Sequence, residues 1–170
     1  MSRISTRKIV ECAMFTALTI VATIVIQIPS PMQGYVNLGD VFVLFGSLAL
    51  GPIYGTISAG LGSSLADILT GYVVYAPATA IIKSSMSLCS YFLFWALKKA
   101  VNSEIISVII SGIVAELVMV AGYFLYACLI MGEGIPAIAS VPGNLVQGAF
   151  GVVVSTALYA VFIKSGKFPR

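Results

Sequence analysis

The stretch 35-YVNLGDVFVLFGSLALGPIYGTISAGLGSSLADILTGYVVYAPATAIIK-83 decides the reading of this chain. It is almost wholly apolar, yet it holds Asp40, Asp67 and Lys83, with glycines and other small residues at close intervals between them. An ionisable side chain in a membrane-length apolar run is costly. It persists where it faces a protein interior, a partner charge or a water-filled site. Outward from this stretch, the rest of the chain reads as the scaffold that holds such a site at one face of a membrane.

The composition agrees. Of 170 residues, 59% are hydrophobic and 9% charged, against roughly 25% charged in soluble domains. A hydrocarbon core about 30 Å thick takes about 20 apolar residues per helix, so the chain supplies membrane spans and no soluble domain. Histidine is absent, which removes the commonest general base and metal ligand. Cys12, Cys89 and Cys128 are isolated in apolar segments and read as small core residues. No serine has a neighbouring base, and no Gly-Lys-Ser/Thr follows the glycines. The sequence therefore points away from an enzyme, a metal site, a nucleotide site and a nucleic-acid partner. The first apolar run lacks a small-residue cleavage site and reads as a retained helix.

Proline and glycine punctuate six apolar segments, at 9–28, 40–51, 53–70, 78–97, 104–130 and 141–163. Pro29 and Pro31 end the first, and Gly51-Pro52 marks the turn between the second and third. The positive residues test the count. With six spans and both termini inside, Arg3, Arg7, Lys8, Lys98, Lys99, Lys164, Lys167 and Arg170 all fall on the cytoplasmic side. The only other basic residue is Lys83, within a span. The expected fold is a single all-α membrane domain of six transmembrane helices with both termini cytoplasmic, and localisation is to the plasma membrane of a prokaryote.

That topology sends the loops 29–39, 70–77 and 131–139 outward. Asp40 lies just below the first, Lys83 below the second, and Asn144 and Gln147 below the third; Asp67 is also in the outer part of its span. Asn144 and Gln147 are three apart and share a helix face. Glu116 sits near the middle of the fifth span. The arrangement fits an outward-facing pocket with aromatic walls and a few convergent polar groups. Each residue also has a structural reading. Lys83 and the acids could be a packing ion pair, Asn144 and Gln147 inter-helix hydrogen-bonding glue, and Tyr35, Tyr72 and Tyr75 an interfacial belt.

The chain resembles the S components, the substrate-binding membrane subunits of energy-coupling factor (ECF) vitamin transporters. The residues that carry the resemblance are Ala13-x-x-x-Ala17, Tyr35-Val-Asn-Leu-Gly-Asp40, Gly51-Pro52-x-x-Gly55 and Gly62-Ser-x-Leu-Ala-Asp67. Gly71-Tyr72, Tyr75-Ala-Pro-x-Thr-x-Ile-Ile-Lys83 and Asn144-x-x-Gln147 complete them. The resemblance implies an outward-facing site capped by the loop after the first helix. It implies substrate binding by Asn37, Asp40, Tyr75, Lys83, Glu116, Asn144 and Gln147. It also implies docking through the small-residue face of Ala13 and Ala17 onto a transmembrane coupling (T) protein. Two cytosolic ATPases bound to that protein would use the ATP, so no cofactor is expected in this chain.

Within the family, the YVNLGD and APxTxIIK patterns are most similar to the branch associated with pyridoxine or hydroxymethylpyrimidine. Riboflavin and other vitamins stay open as substrates. A stand-alone secondary transporter would need an ion-coupling site and often shows two related halves; no clear repeat is visible. A structural subunit without ligand is the other alternative.

Overall fold

The structure, a computed structural model, describes residues 5–29 and 35–165. Arg3, Pro31, Lys167 and Arg170, used above for topology and loop character, lie outside the described residues. Helix α1 spans Thr6–Val25, followed by two short strands, β1 (Gln27–Pro29) and β2 (Tyr35–Asn37). Next come α2 (Gly39–Leu69), α3 (Ala76–Ala100) and α4 (Glu104–Leu125). Helix α4 runs on as a π-helical turn, Tyr126–Ile130. A 3-10 turn, Ile135–Ser140, then leads into α5 (Val141–Lys164). Among the described residues five helices are long and apolar enough to cross a membrane, where the sequence pattern suggests six.

The difference lies at Gly51. Its backbone, φ 82° and ψ −178°, is non-helical, in the left-handed half of φ space that glycine tolerates. Were α2 straight, Asp40 and Asp67 would be about 40 Å apart at 1.5 Å per residue. Instead a Cβ placed on Gly55 would lie 2.8 Å from the Ser47 Cα. The element therefore doubles back at Gly51-Pro52, and its two legs lie side by side. The expected boundary at Gly51-Pro52 is thus a reversal inside one helical element.

A second difference is the β1–β2 hairpin, where only a polar loop is expected. The strands pair antiparallel with Gln27 opposite Asn37, Ile28 opposite Val36 and Pro29 opposite Tyr35. Pro29 falls at the last position of β1, where its missing N–H costs the two-stranded ladder little.

Small residues set the packing of α2. A Cβ on Gly62 would meet the Thr19 Cβ at 2.8 Å and the Thr16 carbonyl at 3.0 Å, so α1 lies directly on this leg. On another face, a Cβ on Gly60 would come within 3.1 Å of the Ala80 carbonyl, which places α3 equally close. Close approach of this kind, rather than a hydrophobic driving force, holds helices together in lipid. Large side chains such as Val10, Met14, Val21, Phe150, Val153 and Val161 are exposed, as a lipid-facing surface requires.

The interior has two apolar clusters. One gathers Val43, Leu44, Ile82, Met86, Met119 and Val152 in the middle of the bundle. The other gathers Phe45, Leu48, Phe94, Val108 and Tyr159 toward the end where α3 meets α4. Several buried serines satisfy their hydroxyls on the preceding turn, as Ser47 does on Leu44 O at 2.7 Å and Ser111 on Val108 O at 3.1 Å. Ser103 caps α4 by accepting from the Ile106 amide at 3.4 Å, and Lys98 pairs with Glu104 at 2.6 Å across the α3–α4 connection.

Candidate functional site

At the hairpin end of the bundle lies a polar cavity of about 50 Å³. Every helix contributes to it. Thr23 comes from α1, Asn37 and Tyr35 from β2, Ser63 and Asp67 from the second leg of α2, and Tyr123 from α4. Tyr75 precedes α3, which adds Thr79 and Lys83; α5 adds Asn144 and Gln147. The helical spacing explains part of the set. Ser63 and Asp67 are four apart, as are Thr79 and Lys83, so each pair shares a face.

Beneath the cavity runs a buried hydrogen-bonded chain. Lys83 Nζ donates to Asp40 Oδ1, forming an ion pair in which both side chains are almost fully buried. Gln147 Nε2 donates to Asp40 Oδ2 at 2.5 Å, and Gln147 Oε1 accepts from the Asn37 amide at 2.8 Å. Asn37 Oδ1 in turn accepts from the Gly39 amide at 2.8 Å, closing the start of α2. Asp40 sits in the first turn of α2, where the helix dipole favours a negative charge. One chain of polar contacts thus joins α3, α2, α5 and the hairpin.

The walls are aromatic. Tyr35 donates its hydroxyl to Asp67 Oδ1 and packs on Tyr72, ring centroids 4.6 Å apart. Tyr123 donates to Thr79 Oγ1 at 3.0 Å, and Lys83 Nζ lies 5.5 Å from the Tyr123 ring centre. Tyr75 packs on Tyr126, which donates to the Val74 carbonyl at 2.5 Å. Burial raises the Tyr35 hydroxyl well above the ordinary phenol range, and the Asp67 charge adds to it. Tyr75 is raised in the same way, by burial first and then by Glu133. Both phenols are therefore protonated donors at neutral pH.

Of the residues expected to bind substrate, Asn37, Tyr75, Lys83, Asn144 and Gln147 line the cavity. Asp40 and Glu116 do not. Asp40 lies behind the wall and orients Lys83 and Gln147. Glu116 is buried against α5, where a Cβ on Gly151 would meet its Oε1 at 2.6 Å. Neither Glu116 oxygen has a hydrogen-bond partner among the described residues. The substrate-binding set implied by the resemblance omits Tyr35 and Asp67, which the sequence places at the same depth, and also Thr79, Ser63, Thr23 and Tyr123. Helical spacing from Asp67 and Lys83 points to Ser63 and Thr79; nothing in the sequence singles out Thr23.

Ala13 and Ala17 lie elsewhere, in an apolar groove of about 510 Å³ between α1 and the second leg of α2. Ile9, Cys12, Thr16, Ile20, Tyr54, Ile57 and Leu61 form the rest of its wall.

Comparison with known proteins agrees with this architecture. The family described as "ECF-type riboflavin transporter, S component" matches residues 3–164. A Pyrococcus woesei protein, described as an uncharacterized protein in a gap 3' region, is 31% identical over 139 residues, covering 81% of this chain and 89% of that one. A solved structure, described as "Structure and mechanism of the S component of a bacterial ECF transporter", superposes with a TM-score of 0.74. It covers 95% of this chain and 98% of its own at 21% identity, and so speaks to the fold. A multi-pass membrane protein with this match over nearly its whole length is a transport subunit rather than an enzyme: the chain belongs to the S-component family of ECF-type transporters.

Proposed function

We propose that the protein captures a small water-soluble vitamin or vitamin precursor from outside the cell and delivers it inward. The cavity carries this reading: it is aromatic-walled, edged by amide, hydroxyl and charged groups, and bounded by strand β2 of the hairpin. Asn37, Tyr75, Lys83, Asn144 and Gln147 contact the ligand directly, and Asp40 and Glu116 support them from behind. At about 50 Å³, the cavity is smaller than the roughly 300 Å³ of the smallest ligand clefts. The hairpin therefore lifts to admit the ligand and settles over it.

The chain crosses the plasma membrane of a prokaryote six times, with both ends inside. The reversal at Gly51 supports two crossings within α2. The position of Lys8, Lys98, Lys99 and Lys164 at the end opposite the cavity supports the orientation. The groove of Ala13 and Ala17 receives a transmembrane coupling protein, and two ATPases bound to it supply the energy from ATP.

A single-ring ligand, pyridoxine or hydroxymethylpyrimidine, suits the narrow tyrosine-walled cavity best. Riboflavin is the second reading, favoured by the description of the matching family. Purification in mild detergent, denaturation and mass spectrometry of the released small molecules tests the proposal. A vitamin or precursor released in near-equimolar amount supports capture, and its identity decides between the two readings. Release of lipid alone counts against both.

A further inference from the structure

Among the described residues the cavity wall holds one acid, Asp67, and one base, Lys83. Their situations differ. Lys83 is already paired with Asp40, and its remaining surface lies against the Tyr123 ring. Asp67 is only 4% exposed. Its Oδ1 accepts from Tyr35, while Oδ2 has no partner within hydrogen-bond distance among the described residues. The Thr79 hydroxyl, whose oxygen accepts from Tyr123, turns its own hydrogen toward this carboxylate and leaves Oδ2 short of a close donor. A buried carboxylate oxygen without a donor is unfavourable, and a ligand that brings a donor relieves it.

The surrounding field points the same way. Among the described residues, Asp40, Asp67 and Glu116 are buried within this cluster, with Lys83 as the single buried opposing charge. A second anion brought by a ligand would enter low-dielectric surroundings already rich in acids, with no unpaired cation to receive it.

Resting on the capture reading above, we infer that Asp67 sets substrate specificity. Its Oδ2 accepts from an N–H or O–H of a neutral or cationic heterocycle held between Tyr35, Tyr75 and Tyr123. Vitamins and precursors bearing a carboxylate or phosphate are rejected. The residue acts as a charge filter as well as a hydrogen-bond acceptor.

The test uses ligand-free, full-length protein in detergent and calorimetric titration with matched pairs. Pyridoxine is set against 4-pyridoxate, hydroxymethylpyrimidine against its phosphate, and riboflavin against riboflavin 5'-phosphate; biotin, pantothenate and thiamine complete the panel. In whichever pair binds, the neutral member is expected to bind at least about tenfold more tightly, or thiamine binds as the cation. Asp67→Asn is expected to weaken the neutral member about tenfold and to shrink its advantage over the anion. Tyr35→Phe, which removes the hairpin tie and keeps the carboxylate, shifts both members alike. An anionic member that binds as tightly as its neutral partner overturns the inference. So does an Asp67→Asn variant with an unchanged ratio. The wild-type ratio stands even if that variant fails to fold. Binding of biotin or pantothenate alone leaves capture intact and overturns the charge filter, whereas binding of nothing in the panel overturns both.

Discussion

The Tyr35 hydroxyl donates to Asp67 Oδ1, joining the hairpin strand β2 to the outer end of α2 across 32 positions of sequence. With the bond from the Asn37 amide to Gln147, it gives the roof of the cavity two side-chain ties, one on each side. Among the described residues the bond from the Gly39 amide to Asn37 Oδ1 and the Tyr35–Tyr72 ring contact add to these, and a roof held by so few ties closes a site and still opens readily.

Tyr35→Phe should therefore speed ligand release. A hydrogen bond to a charged group is worth about 1.5–3 kcal/mol, so the dissociation rate should rise about tenfold or more in a chase experiment. Because burial raises the Tyr35 pKa, the tie is fully present below the ordinary phenol value of about 10 and is lost only as pH rises beyond it. Release from the wild type should accordingly be flat from mildly acidic to mildly alkaline pH.

Lys83→Met should destabilise the protein strongly, since it leaves Asp40 buried with its charge uncompensated. The cost of breaking such a pair from one side is about 3–5 kcal/mol, read as a large fall in unfolding temperature in detergent. Adding Asp40→Asn should recover much of that loss while ligand affinity stays low. Recovery would show that Lys83 and Asp40 are energetically one unit.

Ala17→Leu fills the groove between α1 and the second leg of α2. Uptake by cells that hold the coupling protein and its ATPases should fall to background. Ligand affinity in detergent should stay within about twofold of wild type, because Ala17 lies outside the cavity wall. Lost affinity would mean that groove and cavity are not separate sites.

Gly62→Ala should cost about 1–3 kcal/mol by overpacking, since its Cβ would press on Thr19 and on the Thr16 carbonyl. The neighbouring helix backbone cannot yield as a flexible side chain would. A lowered unfolding temperature with normal ligand stoichiometry is the expected outcome.

Much of this was legible in the sequence. An apolar chain with isolated Asp40, Asp67 and Lys83, and with polar pairs just below three loops, already implies a membrane bundle with a site at one end. Helical spacing carried Asn144 and Gln147 into it. The hairpin was not legible, because three-residue strands ending at Pro29 leave no periodic pattern to read. The roles of the acids were not legible either. Charge in an apolar segment shows that a residue has a partner, not which way it faces. Asp40 turns to Lys83 and Gln147, and Glu116 packs against Gly148 and Gly151, whereas Asp67 turns into the cavity.

Capture of a small heterocycle by the polar cavity is the central claim, and equilibrium titration of the ligand-free protein tests it most directly. Pyridoxine, hydroxymethylpyrimidine and riboflavin would be titrated into wild type and into Asn144→Ala, whose side chain lines the cavity without joining the Asp40 chain. One of the three should bind with a stoichiometry of one and lose about tenfold or more in affinity in the variant. Failure of all three to bind, or binding that Asn144→Ala leaves untouched, would contradict the assignment of this cavity as the capture site.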